Sequence, residues 1–450
     1  MEARGAPAGT GGRSGAAPHG GGPGRPDPQR LQEWRSAAVM HVDLDMFFVA
    51  VGLLERPDLV GRPVIVARDS GRSVVLSASY EAREFGVHSG MPVSRARALC
   101  PQGILMDPSY ADYPGYSRRV MSMFRDLTHL VEQISVDEAF LDVSGAVRRL
   151  GPPVQIARDL RARIRAETGL TASIGIGANK TVAKIASTRS KPDGLLLVRA
   201  QDTVAFMAEL PVGALWGVGK RTEETLHRAG LRTVGEIAQR SPQQLARVVG
   251  QAAGAHLHAL AHGNDPRPVT PEREEKSLGA EQTFEVDVSD PASLRRELLG
   301  LSHRTAARLR RQGLRARRVG LKLRWADFTT ISRSRTVSHP FTSGHDLYTY
   351  AEELFSAELP LPSPVRLIGV RAESLEHGDS AMQLSLDGRE EEWAAAETAM
   401  DRARERFGST VLGPASMLRP PEDTVGRRER RTGHVDDAGT GLGPGQRRSG

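Results

Sequence analysis

Cysteine occurs once in the 450 residues, as Cys100. No disulfide framework can form within the chain, and a reducing cytoplasm is the expected setting. Long apolar runs are missing too. No stretch approaches the ~20 residues of a membrane-spanning helix, and the N-terminus carries no apolar signal core, so neither a membrane protein nor a secreted one is expected. Acidic side chains are outnumbered, 54 against 61 Lys and Arg, for a formal net charge of +7 and a pI near 9.8. That balance favours a polyanionic partner, nucleic acid before others. The length suits about three domains.

The acids that are present concentrate in two places. Ser135-Val136-Asp137-Glu138-Ala139-Phe140-Leu141-Asp142 sets two adjacent carboxylates in an apolar, β-prone run, and Asp43 and Asp45 close a second such run, Ala38–Val42. Carboxylates buried at strand ends are costly unless a cation compensates them. Two such clusters point to one shared hard-metal site, the arrangement that Mg²⁺-assisted phosphoryl or nucleotidyl transfer needs.

Periodicity and breakers give the elements. Residues 1–35 and 420–450 lack an apolar face and are expected to be a disordered leader and tail. The run Ala38–Val42 reads as a buried strand, with Asp45 suited to cap a helix over residues 46–51. Val64–Ala67 and Val74–Ser77 read as short strands, and Tyr80–Phe85, Tyr116–Leu130, Val154–Thr168 and Lys180–Thr188 as helices. The acid-bearing run and Ala172–Ile176 complete the strands. Setting residues 47–107 aside leaves strand, helix, strand, strand, helix, strand. That is a split βαβ, ferredoxin-like layout with both acid clusters on central strands.

Residues 201–268 read as short helices joined by Gly-containing turns. Leu215-Trp216-Gly217-Val218-Gly219-Lys220 has the pattern of a helix-hairpin-helix: Gly217 and Gly219 let backbone N–H groups approach a phosphate, the next helix N-terminus favours the anion, and Lys220 adds charge. A charged linker, 269–276, leads to a last folded unit over about 277–376. Its helix carries Arg304, Arg308, Arg310 and Arg311, and its strand 329–337 sets Arg333 and Arg335 on one face. Arginine at this density is expected to track phosphates.

Four blocks, His41-Val42-Asp43-Leu44-Asp45-Met46-Phe47-Phe48, Ser79-Tyr80-Glu81-Ala82-Arg83, the Ser135–Asp142 run and Lys191-Pro192-Asp193-Gly194, resemble the Y-family translesion DNA polymerases, on the branch of bacterial DNA polymerase IV. The resemblance runs in order from about residue 38 to 375. It implies an α+β right hand: a ferredoxin-like palm over 36–46 and 108–200, small fingers over 47–107, a helix-hairpin-helix thumb over 201–268 and an α/β little finger over 277–376, followed by a clamp-binding segment and C-terminal helix over 377–419. It implies a template-directed polymerase without a proofreading exonuclease, adding dNTPs to a primer 3′-hydroxyl. A DNA-binding homologue with weak or no catalysis is the alternative.

By the same resemblance Asp43, Asp137, Glu138 and the Leu44 carbonyl hold two Mg²⁺ ions, for which Mn²⁺ substitutes. Tyr80, Arg83 and Lys191 match triphosphate contacts. Phe48 matches the ring that leaves no room for a ribose 2′-hydroxyl, with Phe47 in the core, and Asp45 matches a cap rather than a ligand. Gln383-Leu384-Ser385-Leu386 resembles the Gln-Leu-x-Leu core of sliding-clamp-binding peptides, although Asp387 stands where an apolar residue often follows. Primer–template DNA, dNTPs and a sliding clamp are the implied partners, for a monomer associated with the nucleoid.

Overall fold

The residues just before the first strand, expected to be unstructured, form a helix, α1 (Pro28–Ser36). Asp27 caps it by accepting from the Gln29 N–H, a proline opens it, and Leu31 and Trp34 pack onto the neighbouring core. The computed structural model describes residues 27–108, 112–271, 274–377, 389–408 and 412. The chain divides into two compact units, residues 1–273 and 274–450.

In the first unit β1 (Val39–Leu44) leads into α2 (Phe47–Glu55). An inserted subdomain follows: β2 (Val64–Val66), β3 (Ser77–Ala78), α3 (Tyr80–Glu84), α4 (Val93–Leu99) and β4 (Ile104–Met106), its strands ordered β3-β2-β4. The chain returns through α5 (Asp112–Leu127), β5 (Val131–Gln133), β6 (Glu138–Asp142), α6 (Val147–Leu150), α7 (Pro153–Thr168), β7 (Ala172–Gly177), α8 (Lys180–Ser190) and β8 (Leu195–Leu197). The helix expected to follow Pro114-Gly115 instead starts before them, because proline is tolerated in a first turn.

The main sheet is ordered β5-β6-β1-β7-β8, with β1 antiparallel to both neighbours. This is the ferredoxin-like arrangement with β8 added in parallel at one edge. Alternation decides its two faces. Met40, Val42 and Leu44 of β1, Ala139 and Leu141 of β6, and Ile174 and Ile176 of β7 join Val120, Phe124, Ile156, Leu160 and Ile164 in one core beneath α5 and α7. The opposite parity, His41 and Asp43 on β1 with Glu138 and Phe140 on β6, turns to the other face, where α8 packs. Gly175 permits that packing: a Cβ there would lie 2.1 Å from the Ala183 carbonyl oxygen and from the Ser187 nitrogen.

Five short helices complete this unit: α9 (Thr203–Ala208), α10 (Lys220–Arg228), α11 (Val234–Ala238), α12 (Pro242–Val249) and α13 (Gln251–Ala261). Capping boxes at Thr233 and Ser241 start α11 and α12.

The second unit runs β9 (Ser277–Val288), α14 (Pro291–Arg311), β10 (Leu314–Trp325), β11 (Thr330–Phe341), α15 (Gly344–Ser356), β12 (Val365–His377) and α16 (Arg389–Phe407). Its antiparallel sheet is ordered β11-β10-β12-β9. Val319, Leu321, Leu323 and Trp325 alternate onto the face covered by α14 and α15, where Leu298, Leu301, Leu347 and Phe355 are fully buried. The helix α16 docks through Glu397, whose buried carboxylate accepts from the Gly344 and His345 N–H groups and from Arg310.

Candidate active site

Asp43 and Glu138 are direct cross-strand partners at the ends of β1 and β6. Asp137 immediately precedes β6, and its carbonyl oxygen accepts from the Leu44 N–H at 3.0 Å. Ser135 shapes the turn before the two acids: its hydroxyl donates to the Asp137 carboxylate, and its oxygen accepts from the Asp137 and Glu138 N–H groups. The three carboxylates therefore come from two adjacent strand ends, with Asp43 and Glu138 on the face away from the α5–α7 core.

Each of the two paired acids already faces an ammonium. Lys191 Nζ lies 2.5 Å from Asp43 Oδ1, and Lys184 Nζ lies 2.6 Å from Glu138 Oε2. His41, fully buried on β1, lies 3.3 Å from the same Glu138 oxygen and 2.6 Å from Ser187 Oγ on α8. The hydrogen bond from His41 and the pairing with Lys184 pull the Glu138 carboxyl down to about 2. Burial pulls the imidazole pKa below its usual value, against the raising influence of Glu138 and Asp43. Asp137 is pushed the other way, chiefly by burial and further by the charges of Asp43 and Glu138, with Ser135 opposing. Adjacent acids with opposed tendencies mark a site that a divalent cation would relieve.

Ligand atoms of His41, Asp43 and Glu138 lie within 4.8 Å of one another. Asp137 is not in that group, although its backbone is fixed beside it. The carboxylate oxygens are hard donors on half-buried side chains, a set that fits Mg²⁺ or Mn²⁺.

Around these acids the other expected residues fall as follows. Phe47 is buried in the core, while Phe48 is half-exposed and meets the Tyr113 ring edge-on at 4.6 Å. Tyr80 and Arg83 sit on α3, which Ser79 caps. The Arg83 guanidinium lies 4.9 Å from the Tyr80 ring centre, and its Nε donates to the Ala78 carbonyl oxygen. Lys191 follows the last turn of α8.

Asp45 does not cap α2. The capping position is Met46, in a left-handed conformation with φ of 40°, and no side chain caps the helix. The Asp45 carboxylate instead points inward and accepts from the Tyr80 hydroxyl, the Ser173 hydroxyl and the Asp193 N–H.

In the helical segment Gly217 takes a φ of +97°, which favours glycine, and Gly219 precedes α10 with Lys220 as its exposed first residue. The preceding Trp216 lies against Phe140, beneath the guanidinium of Arg267 at 4.3 Å.

Arg333 and Arg335 are on the helix-covered side of their sheet, not its open face. They share that face with Ile331 and Val337, which join the core, and they pair with Glu358 and Glu353. Other arginines are occupied in the same way: Arg304 by Glu297, and Arg310 by Glu397 and Asp401. The open face carries Arg318, Lys322, Arg324 and Arg371, with Gly320 and Gly369 between them. Gln383, Leu384 and Leu386 lie outside the described residues.

Sequence reasoning assigned nothing to His41, Ser135 or Lys184. A signal for Lys184 exists: Lys180 and Lys184 stand one turn apart in an otherwise small, apolar helix, where two lysines need acids. Lys180 finds Glu132, and Lys184 finds Glu138.

Residues 42–188 match the impB/mucB/samB family, and residues 275–386 match that family's C-terminal domain. Residues 213–265 match the thumb domain of DNA polymerase iota. Over 351 residues the chain is 43% identical to DNA polymerase IV of Alkalilimnicola ehrlichii, covering 77% of this chain and 98% of that one.

The chain belongs to the impB/mucB/samB family, the Y-family DNA polymerases.

DNA polymerase IV of Desulfatibacillum aliphaticivorans is 39% identical, over 84% of this chain and 96% of its own. Among solved structures, a Y-family polymerase chimera of Dbh and Dpo4 aligns with a TM-score of 0.67 at 27% identity, covering 75% of this chain and 98% of that one. An insertion ternary complex of Dbh aligns at 0.57 with 27% identity, over 74% of this chain and 98% of the other. The Y-family fold is thus the α+β right hand, with a palm, an inserted fingers subdomain and a helical thumb in the first unit and a little finger in the second.

Proposed function

We propose that this chain is a template-directed DNA polymerase of the translesion type, which extends a primer 3′-hydroxyl with dNTPs in the cytoplasm. The observation that carries the reading is the cross-strand placement of Asp43 and Glu138, with Asp137 beside them, in a chain that aligns with Y-family polymerases along most of its length. Primer extension on undamaged and damaged templates tests it.

Asp43, Asp137, Glu138 and the Leu44 carbonyl would hold two Mg²⁺ ions, whose chemistry is to lower the pKa of the primer hydroxyl and neutralise the triphosphate. The protein's own residues do the rest. Ser135 fixes the turn that aims Asp137 and Glu138. His41 and Lys184 hold the Glu138 carboxyl well below the usual carboxylate range, which favours the ionised form that a cation needs. Lys191, within one side chain's swing of Asp43, supplies a cation for the triphosphate, and Arg83, seated against the Tyr80 ring, supplies a planar one. The Phe48 ring, propped by Tyr113, takes the space beneath the sugar.

DNA would be held by backbone contacts. The Gly217–Gly219 hairpin and Lys220 at the α10 N-terminus suit a phosphate. In the second unit the open face of the sheet is better placed than Arg333 and Arg335. Lys322 there pairs with Glu281, and Arg318 with Glu373 and Ser334, at the surface, partners that a phosphate can displace. Replacing Arg318 and Lys322 with Ala should weaken binding to all sequences alike and flatten the salt dependence by about one unit per lost contact. Replacing Arg333 and Arg335 should flatten it less. Fluorescence anisotropy across a salt series measures both, and equal slopes would place the contact on the other face.

The Gln383–Leu386 segment is proposed as a tether to a sliding clamp, raising local concentration without touching the chemistry. The protein acts as a monomer on this reading. Ala at Gln383, Leu384 and Leu386 should keep single-nucleotide incorporation and lose stimulation by the clamp. Equal processivity of mutant and wild type with the clamp would make the segment a linker.

A further inference from the structure

We infer that Asp45 is a positioning residue for the incoming nucleotide, fixing the fingers hydroxyl of Tyr80 and the Lys191 loop of the palm to one buried carboxylate. The inference rests on the polymerase reading and deepens it, since Arg83, seated against the Tyr80 ring, and Lys191 are the triphosphate ligands there.

Asp45 is 1% exposed. Its Oδ1 accepts from the Tyr80 hydroxyl at 3.1 Å and from the Ser173 hydroxyl at 2.8 Å, and its Oδ2 accepts from the Asp193 N–H at 2.9 Å. These three donors are neutral and come from separate parts of the chain: α3 of the fingers, β7 of the palm, and the loop after α8. A buried carboxylate held this way is tolerated only when its donors are fixed, and it fixes them in turn.

Each donor leads to a proposed ligand of the triphosphate. Tyr80 carries the Arg83 guanidinium over its ring. Burial and the Asp45 charge push the phenol pKa upward, so the hydroxyl keeps its proton as a donor. Asp193 stands two residues beyond Lys191, and its own carboxylate is clamped by Arg161 and Arg165 of α7. Ser173 also accepts from the Gly194 N–H at 3.3 Å, tying the same loop to β7. With Asp45 in place, Tyr80 and the Lys191 loop share one anchor across the fingers–palm boundary. Without it the two lose their common anchor and only their separate ties remain, and a small displacement at a phosphate contact weakens binding sharply.

The test is steady-state single-nucleotide incorporation by the full chain, comparing wild type, Asp45→Asn, Tyr80→Phe and the double variant. Asparagine keeps the size of Asp45 but removes its charge and one acceptor, so it cannot serve all three donors. The expected result is a KM for dNTP raised about tenfold, with kcat and DNA affinity within about twofold. The double variant should fall short of the product of the two single effects, because both act on the Tyr80–Asp45 link, which Asp45→Asn weakens and Tyr80→Phe removes. An unchanged KM overturns the inference, as do fully additive effects. A parallel fall in kcat, DNA affinity and melting temperature overturns it as well, since that is the pattern of a merely structural carboxylate. Wild-type extension is read in the same assay; its absence would strike the polymerase reading itself.

Discussion

Replacing Asp137 and Glu138 together with Ala is expected to abolish primer extension while leaving DNA binding intact. The pair supplies most of the negative charge in a site where Asp43 alone would remain opposite Lys191. Charge stabilisation worth several kcal/mol depends on it, and ~4 kcal/mol corresponds to about a thousandfold in rate. The loss is specific to chemistry because the proposed DNA contacts lie on the α10 hairpin and on the second unit's sheet. The double replacement also strips Lys184 and His41 of their shared partner. Isosteric Asp137→Asn and Glu138→Gln therefore serve as the companion variants, and they should fail to the same extent with the fold preserved. Extension by either set at more than a few per cent of wild type would remove these acids from the site.

Phe48→Ala is expected to change which sugar is accepted rather than how fast it reacts. The ring is half-exposed and held edge-on by Tyr113, whereas Phe47 beside it is buried in the core. Excluding a hydroxyl by an unyielding wall is a steric effect, and relieving it should raise the efficiency of rNTP relative to dNTP by on the order of a hundredfold. Phe47→Ala, in contrast, should cost stability by roughly 3–5 kcal/mol, as a cavity in a packed core. Paired rNTP and dNTP incorporation with a melting curve for each variant separates the two rings. An unchanged ratio for Phe48→Ala would refute its role.

The parts of this architecture legible in the sequence were those fixed by local pattern. The two acid clusters interrupt apolar runs, and the runs proved to be the central strands β1 and β6 in register with each other. What escaped were features set by tertiary contact. Asp45 sits where a cap belongs, but the chain turns through Met46 in a left-handed conformation and sends the carboxylate inward to Tyr80 and Ser173. Lys184 meets Glu138 because glycine at 175 lets α8 approach β7, and His41 meets it across the β1–β6 pairing. The helix α1 is short and polar, and its order comes from Leu31 and Trp34 packing on the palm.

The little finger shows a different kind of miss. Alternation put Arg333 and Arg335 on one face correctly, but Ile331 and Val337 share that parity and belong to the core. Reading the apolar residues of the same strand first would have placed the two arginines on the side of α15, where Glu353 of that helix and Glu358 just beyond it hold them. Arginine density by itself did not separate structural pairing from readiness for phosphate, because the partners lie later in the chain, in α15 and just beyond it.

The central claim is that the carboxylates of β1 and β6 run metal-dependent, template-directed nucleotidyl transfer. Single-nucleotide incorporation by the wild-type chain on a primed template, with each dNTP in turn, measures it most directly. The account predicts extension that follows the template base, stops on chelation and returns when Mg²⁺ is restored. Extension that ignores the template, or that persists in the chelator, would contradict it.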